Sequence, residues 1–280
     1  MKVRLLTALG IAVLGLPLLI FSDYIIYPIA LALLATLSCW ELLRVFGMHK
    51  RLALAIPTYI LSACLPFFSY PLFFPSEKHG TYLLIVALSV FAYLLYLAAY
   101  AVLSRGNATY TDIAKIFTAV TYATVSFTSM SLLRYMSNGV YLFEMIFIGA
   151  WVCDSFAYFT GRLFGKHKLA PELSPKKTVE GSVGGILFTV SAFAVYGLII
   201  EAISDLDANY LVLCLSGLFI SVISQIGDLF ASLIKREHGV KDYSAILPGH
   251  GGIMDRFDSI LIVSPVLMVI CILFPPFALV

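Results

Sequence analysis

The sequence predicts an all-α, polytopic integral membrane protein with about nine transmembrane helices and a cytoplasmic N-terminus. Hydrophobic residues make up 61% of the 280 residues and charged residues only 12%, with a mean hydropathy of +0.97. A soluble domain has roughly a quarter of its residues charged. Apolar stretches of the length that crosses a bilayer, about 20 residues, recur along the whole chain. The basic residues fall almost entirely into alternate loops.

The apolar stretches give the predicted helices in chain order. They are 5–22, 24–42, 54–75, 82–103, 113–133, 139–160, 183–202, 209–231 and 258–278. Three prolines in the third stretch predict that it is kinked or partly interfacial. We expect a single membrane domain over 1–280, with a helical scaffold in 1–140. The half 141–280 carries two long cytoplasmic loops, 161–182 and 232–257.

The orientation follows from the lysines and arginines, because basic loops stay on the cytoplasmic side. With the N-terminus inside, every lysine and arginine except Lys78 and Arg134 faces the cytoplasm. Such a surface suits anionic lipids or nucleotides, and no nucleic-acid motif is present. The cysteines and histidines lack zinc-site spacing, and no GxSxG elbow occurs.

A polar stripe runs along the eighth predicted helix. It consists of Ser221, Ser224, Gln225, Asp228, Ser232 and Lys235, at steps of three or four residues. This spacing places them on one helix face, which cannot contact lipid. The stripe either packs against a polar neighbour or forms a site. Asp228 favours a site, because a carboxylate at membrane depth costs about 2.5–3.5 kcal/mol on insertion scales.

The loop after that helix contains "LPGHGGIMDRFD", which combines glycines, His250, Asp255 and Asp258. Glycines let backbone N–H groups approach phosphate oxygens, and carboxylates are ligands that Mg²⁺ takes. Together they indicate a nucleotide or pyrophosphate site. An alternative for one of the two aspartates is that it only caps the next helix.

The other long loop reads "DSFAYFTGRLFGKHKLAPELSPKKTVEGSVGG", beginning at Asp154. Its glycines, the carboxylate of Asp154 and the basic residues around Lys176 and Lys177 favour a role in binding. The alternative is a solvated basic loop that only follows the charge rule for cytoplasmic segments. "GRLFGKH" differs from the Walker phosphate loop in its glycine spacing and lacks Ser or Thr after the lysine.

The stretch "SLIKREHGVKDYSAILPGHGGIMDRFD", 232–258, resembles the signature of the phosphatidate cytidylyltransferases, also called CDP-diacylglycerol synthases. Every fixed position from Ser232 to Asp258 is filled. The resemblance extends upstream through Gly227-Asp228 and the loop that begins at Asp154, and covers most of 150–260. This chain departs from the family at Phe156 and Val179. The first 140 residues resemble the family only in being hydrophobic.

The resemblance implies that CTP and phosphatidic acid give CDP-diacylglycerol and pyrophosphate in phospholipid biosynthesis, with Mg²⁺ and, as a weaker inference, K⁺. It implies Asp228 and Asp255 as metal ligands, with Lys241 as a further catalytic residue. The expected substrate-binding residues are Asp154, Lys176, Lys177, Ser232, Lys235, Arg236, Asp242, His250, Gly251, Gly252, Arg256 and Asp258. It further implies a homodimer. The compact chain suits a bacterial inner membrane, with the site at the cytoplasmic face.

Two other functions stay open at this point. A membrane lipid-alcohol kinase that uses CTP would attack the γ-phosphate and release CDP. A non-enzymatic transporter would use Asp154 and Asp228 near the middle of the membrane and would need no nucleotide. The CDP-alcohol phosphotransferases are a further class, but their DGxxAR pattern is absent.

Overall fold

The computed structural model describes residues 17, 20–104 and 106–279, so most of the predicted helix 5–22 lies outside the described residues. The described chain forms eight helices. They are α1 Ile26–Val45, α2 Leu52–Phe68, α3 His79–Leu103, α4 Tyr110–Tyr135, α5 Gly139–Phe164, α6 Val179–Ile203, α7 Tyr210–Glu237 and α8 Met254–Leu273. All but α2, with 17 residues, are long and apolar enough to span a membrane. The all-α membrane class is therefore confirmed, and the count of nine helices stays a prediction.

The predicted bounds of both long loops are wrong, because the flanking helices extend into them. Helix α7 continues to Glu237 and α8 begins at Met254, so the second loop covers 238–253. Helix α5 continues to Phe164, and the first loop contains an antiparallel hairpin of β1 (Lys168–Ala170) and β2 (Ser174–Thr178). The hydropathy pattern marks the apolar thickness, whereas polar helix formers such as Lys, Arg and Glu extend a helix beyond it. A second pair, β3 (Leu206–Ala208) and β4 (Phe277–Leu279), is also antiparallel.

The described residues form two compact units. The first unit lies within Met1–Ser137 and His238–Arg256, and the second lies within Asn138–Glu237 and Phe257–Val280. In the first unit, α1 packs on α2, and Leu54, Leu97 and Ile116 lie in a core without exposed surface. In the second unit, α6 packs on both α5 and α7. The single membrane domain stays a prediction.

Helix α5 is interrupted by a π-helical turn, Ile148–Val152, immediately before Cys153 and Asp154. A π turn inserts an extra residue into the helical repeat and redirects the side chains that follow it. The insertion sets the direction in which Asp154 leaves α5. Helix α4 has a comparable turn at Val120–Val125.

Gly227 of α7 packs closely against the first turns of α8. A Cβ at this position would lie 2.9 Å from the carbonyl oxygen of Asp258 and 3.5 Å from the Cα of Ser259. We expect Gly227→Ala to lower the free energy of unfolding by about 1–3 kcal/mol, because backbone atoms must move. Unfolding in detergent measures it. Gly80→Ala in α3, where a Cβ meets nothing within 4 Å, is the matched control. Equal stability of the two variants would contradict the packing argument.

Candidate functional site

Three aspartates from three helices come together in the second unit. Asp154 lies on α5, Asp228 on α7 and Asp258 on α8. Asp258 interacts electrostatically with both other carboxylates, and Asp154 interacts with Asp228. We call these three residues the acidic cluster. The structure thus brings together three of the residues that the sequence singled out.

Two lysines oppose the negative charge of the acidic cluster. The Nζ of Lys177 lies 2.6 Å from Oδ2 of Asp228, and both side chains are mostly buried, with 23% and 28% exposed. Lys177 is held there because β2 ends at Thr178, whose hydroxyl accepts from the N–H of Gly181, 3.1 Å away, and so caps α6. Lys235 of α7 is buried and interacts with Asp258.

Ser259 connects two members of the acidic cluster, and the sequence analysis missed it. Its hydroxyl donates to Oδ2 of Asp154 at 2.9 Å, and its N–H donates to Oδ1 of Asp258 at 3.0 Å. The side chain is buried among helices α5 and α8. The sequence carries only a weak signal for this role, since a serine in an apolar helix usually bonds to its own backbone.

Four of the six residues in the polar stripe of α7 are buried, and Asp228 and Ser232 are partly exposed. Ser221 and Ser224 have no exposed surface, and Gln225 and Lys235 are buried. The Nε2 of Gln225 donates to the carbonyl oxygens of Ser182, at 3.4 Å, and Ser221, at 3.2 Å. Both explanations of the stripe therefore apply: Gln225 packs against α6, whereas Asp228 belongs to the acidic cluster.

In the first unit, residues 247–255 form a tight turn that we call the glycine loop. The N–H of Leu247 donates to the carbonyl of Gly251 at 2.9 Å, and Gly249 and Gly251 have φ of +77° and +86°. Oδ2 of Asp255 accepts from the N–H groups of Gly252, at 2.9 Å, and Tyr243, at 2.8 Å. Both donors precede α8, so these contacts order the turn ahead of that helix, and the helix cap that the sequence left open for one aspartate stays a prediction. Its role as a metal ligand stays a prediction.

Glu41 of α1 also reaches the glycine loop and was missed. It has no exposed surface, and its Oε1 accepts from the hydroxyl of Ser244, at 2.5 Å, and the N–H of Ile253, at 2.9 Å. Its Oε2 accepts from the N–H of Met254 at 2.8 Å. The available signal was one carboxylate within the apolar stretch 24–42, since a carboxylate at membrane depth usually has a function.

The remaining predicted substrate residues lie near the surface. The exposed ones are Lys176, Arg236, Lys241, Asp242 and Arg256, and the partly exposed ones are Ser232 and His250. Their roles stay predictions.

The acidic cluster is a candidate site for Mg²⁺. Over 20–104 and 106–279, no three His, Cys, Asp or Glu side chains form a ready cage for a metal ion. Mg²⁺ is typically held by one or two carboxylates together with substrate phosphates and waters. The three aspartates of the acidic cluster supply carboxyl oxygens, and Lys177 and Lys235 lie beside them. This donor set fits Mg²⁺ that arrives with a polyphosphate.

Known proteins resemble this chain over nearly its whole length. The model of the cytidylyltransferase family matches residues 2–274. A phosphatidate cytidylyltransferase of Bacillus subtilis is 38% identical over 279 residues, covering 98% of both chains. Relatives of the same name from Staphylococcus epidermidis and Staphylococcus haemolyticus are 36% and 34% identical, each covering 97% of this chain and 99% of the relative.

These matches confirm the resemblance that was drawn from residues 150–260. They also extend it, because the family match begins at residue 2 and includes the helices that the sequence analysis likened to the family only in hydrophobicity. With the match spanning α1 to α8, the chain belongs to the cytidylyltransferase family.

Proposed function

We propose that this protein transfers the cytidylyl group of CTP to phosphatidic acid and forms CDP-diacylglycerol and pyrophosphate. The observation that carries the proposal is the acidic cluster with its two lysines, in a member of the cytidylyltransferase family. The names of the relatives, all phosphatidate cytidylyltransferases, support this choice of substrate. The complete 232–258 signature favours transfer of the α-phosphate over a kinase reaction.

The reaction needs no covalent intermediate with the protein. A phosphate oxygen of phosphatidic acid forms a bond to the α-phosphorus of CTP. The bond from that phosphorus to the bridging oxygen breaks, and pyrophosphate leaves with the electron pair. Because the attacking group is already anionic, no strong base is needed, and catalysis rests on positioning and charge stabilisation. Lys177 and Lys235 supply positive charge beside the cluster.

Mg²⁺ is part of the proposal, held in the second unit by Asp228 with Asp154 or Asp258 as a second carboxylate. The resemblance separately implies Asp255 as a metal ligand. When bound, Mg²⁺ neutralises charge on the triphosphate and on the pyrophosphate leaving group. The fit of the donor set supports this assignment. A requirement for K⁺ stays a prediction from the resemblance.

We place the protein in a bacterial inner membrane, with its site at the cytoplasmic face. The seven long apolar helices among the described residues support a location in a membrane, and the bacterial sources of the relatives support a bacterial one. The basic loops support a cytoplasmic position of the site. Phosphatidic acid would stay in the inner leaflet while CTP arrives from the cytosol. A homodimer stays a prediction.

Lys177→Ala tests the charge balance of the acidic cluster. We expect kcat/KM to fall about 10²-fold, because the variant removes the ammonium group that forms an ion pair with Asp228 and its charge near the transferred phosphate. Steady-state kinetics in mixed micelles measure the change. Lys168→Ala on the same hairpin is the matched control, since that lysine donates to the carbonyl of Pro175 at 2.7 Å and is exposed. Equal losses of kcat/KM in both variants would show that Lys177 acts only through the general positive charge of the hairpin.

The activity itself is tested with purified protein in vesicles that contain phosphatidic acid. CTP and Mg²⁺ are added, and released pyrophosphate and CDP-diacylglycerol are measured in parallel. We expect the two products in equal amounts, and loss of both in EDTA. Replacing phosphatidic acid with diacylglycerol should stop the reaction. Release of CDP with diacylglycerol as acceptor would instead indicate a lipid kinase.

A further inference from the structure

Glu41 has no role in the proposed reaction, yet it is fully buried in α1. Burying a carboxylate is unfavourable unless hydrogen-bond donors surround it. Glu41 has three such donors: the hydroxyl of Ser244 and the N–H groups of Ile253 and Met254. All three belong to the segment 244–254, which includes all of the glycine loop except Asp255. The buried charge is therefore matched by a single segment of the chain.

Two of these donors stand at the start of α8. The first N–H groups of a helix have no partner within the helix, and the positive end of the helix favours a carboxylate. Glu41 satisfies two such groups, at 2.9 and 2.8 Å. Ser244 binds the same carboxylate from the other end of the segment, at 2.5 Å. The carboxylate of Glu41 thus binds residues before the glycine loop and near its end.

Gly252 couples this contact to Asp255. A Cβ at Gly252 would overlap Oε1 of Glu41 and lie 2.7 Å from its Cδ, so only glycine fits against the carboxylate. The N–H of the same residue donates to Oδ2 of Asp255 at 2.9 Å. The backbone of Gly252 is therefore held between two carboxylates. A shift of Glu41 must move the turn that orients Asp255.

We propose that Glu41 is a positioning residue, which sets the geometry of the glycine loop and of Asp255 from an N-terminal helix. Its effect on turnover rests on the proposed cytidylyl transfer. Its effect on the loop does not, because the hydrogen bonds exist without substrate. The two effects are measured separately.

Glu41→Gln is the first test, since it keeps the size of the side chain and removes its charge. The new amide group would also face N–H donors. We expect faster hydrogen exchange in peptides covering 243–254, with little change elsewhere. In the cytidylyl transfer assay, kcat should fall about 10- to 100-fold, as for other residues that orient a site, while KM for both substrates changes little.

Glu201→Gln is the matched control. Glu201 also accepts from one backbone N–H, that of Ala208 at 3.0 Å, and one hydroxyl, that of Tyr210 at 2.5 Å. The same chemical change should speed exchange around 206–210 and leave kcat close to wild type. If kcat falls equally in Glu41→Gln and Glu201→Gln, in proportion to their loss of stability, the positioning role of Glu41 is overturned.

Compensation gives a second test that does not need Glu41→Gln to fold. Gly252→Ala should lower kcat, because its methyl group displaces the carboxylate of Glu41. Glu41→Asp shortens that side chain and makes room, so adding it should restore part of the activity lost in Gly252→Ala. Strictly additive losses in the double variant would contradict direct contact. Ser244→Ala, which removes one donor and adds no bulk, should show the mildest increase in exchange.

The readouts separate this proposal from the proposed function. If wild-type protein shows no cytidylyl transfer, exchange in 243–254 still decides whether Glu41 holds the loop. Unchanged exchange in a folded Glu41→Gln or Ser244→Ala variant would overturn the positioning role. Wild-type kcat in folded Glu41→Gln, together with active wild-type enzyme, would overturn its link to turnover.

Discussion

Asp228→Asn should reduce kcat on the order of 10³-fold while the protein stays folded. Asp228 forms an ion pair with Lys177 and interacts with both Asp154 and Asp258, so its charge acts on the whole acidic cluster. Asparagine keeps the shape of the side chain, so packing is little affected. It removes the charge that Mg²⁺ would need and leaves Lys177 without its carboxylate. Single-turnover kinetics and thermal unfolding in detergent measure the two effects.

Glu144→Gln controls for the loss of a carboxylate in the same unit. Glu144 accepts from the hydroxyl of Tyr196 at 2.7 Å, outside the acidic cluster. We expect activity close to wild type and a modest change in stability. Near-normal turnover in Asp228→Asn would remove this residue from the metal site and would weaken the case for the whole cluster.

Asp255→Asn should also reduce turnover strongly, by about 10²- to 10³-fold. The carboxylate accepts two N–H groups through Oδ2 and so fixes the turn at Gly252 and the segment at Tyr243. Asparagine can accept through one oxygen, but it removes the negative charge that metal binding would require. We expect weaker Mg²⁺ dependence, read as a higher Mg²⁺ concentration at half-maximal rate.

Asp112→Asn separates helix capping from catalysis. Asp112 lies in the first turn of α4, and its Oδ2 accepts from the N–H of Thr109, three residues earlier, as Asp255 does from Gly252. It should lose about 0.5–2 kcal/mol of stability and keep kcat. If Asp255→Asn behaves in the same way, Asp255 has only a structural role in the turn before α8.

The sequence predicted the class of fold and much of the acidic cluster for clear physical reasons. Apolar length and the bias of basic residues follow from the bilayer itself. The carboxylates Asp154 and Asp228 stand out because charge is rare in apolar helices. Their partner Lys177 was expected as a substrate residue, but its ion pair with Asp228 depends on where β2 ends.

Other parts depend on contacts that no local pattern reveals. Glu41 lies more than 200 positions before the residues it binds, with separations of 203 to 213. The hairpin of β1 and β2 lies in a stretch that the sequence pattern predicted as a basic loop. Ser259 contributes to the cluster through a hydrogen bond to Asp154, which lies on another helix. A signature fixes which residues occur, and tertiary packing decides which of them meet.

The most direct test of cytidylyl transfer follows the two ends of the triphosphate in one reaction. CTP carrying different labels on the α- and γ-phosphates is given to purified protein with Mg²⁺ and vesicles of phosphatidic acid, or of diacylglycerol as a parallel arm. Our account predicts α-label in the lipid fraction and γ-label in pyrophosphate, with phosphatidic acid only. Label from the γ-phosphate in lipid, or no labelling of lipid by folded protein, would contradict it.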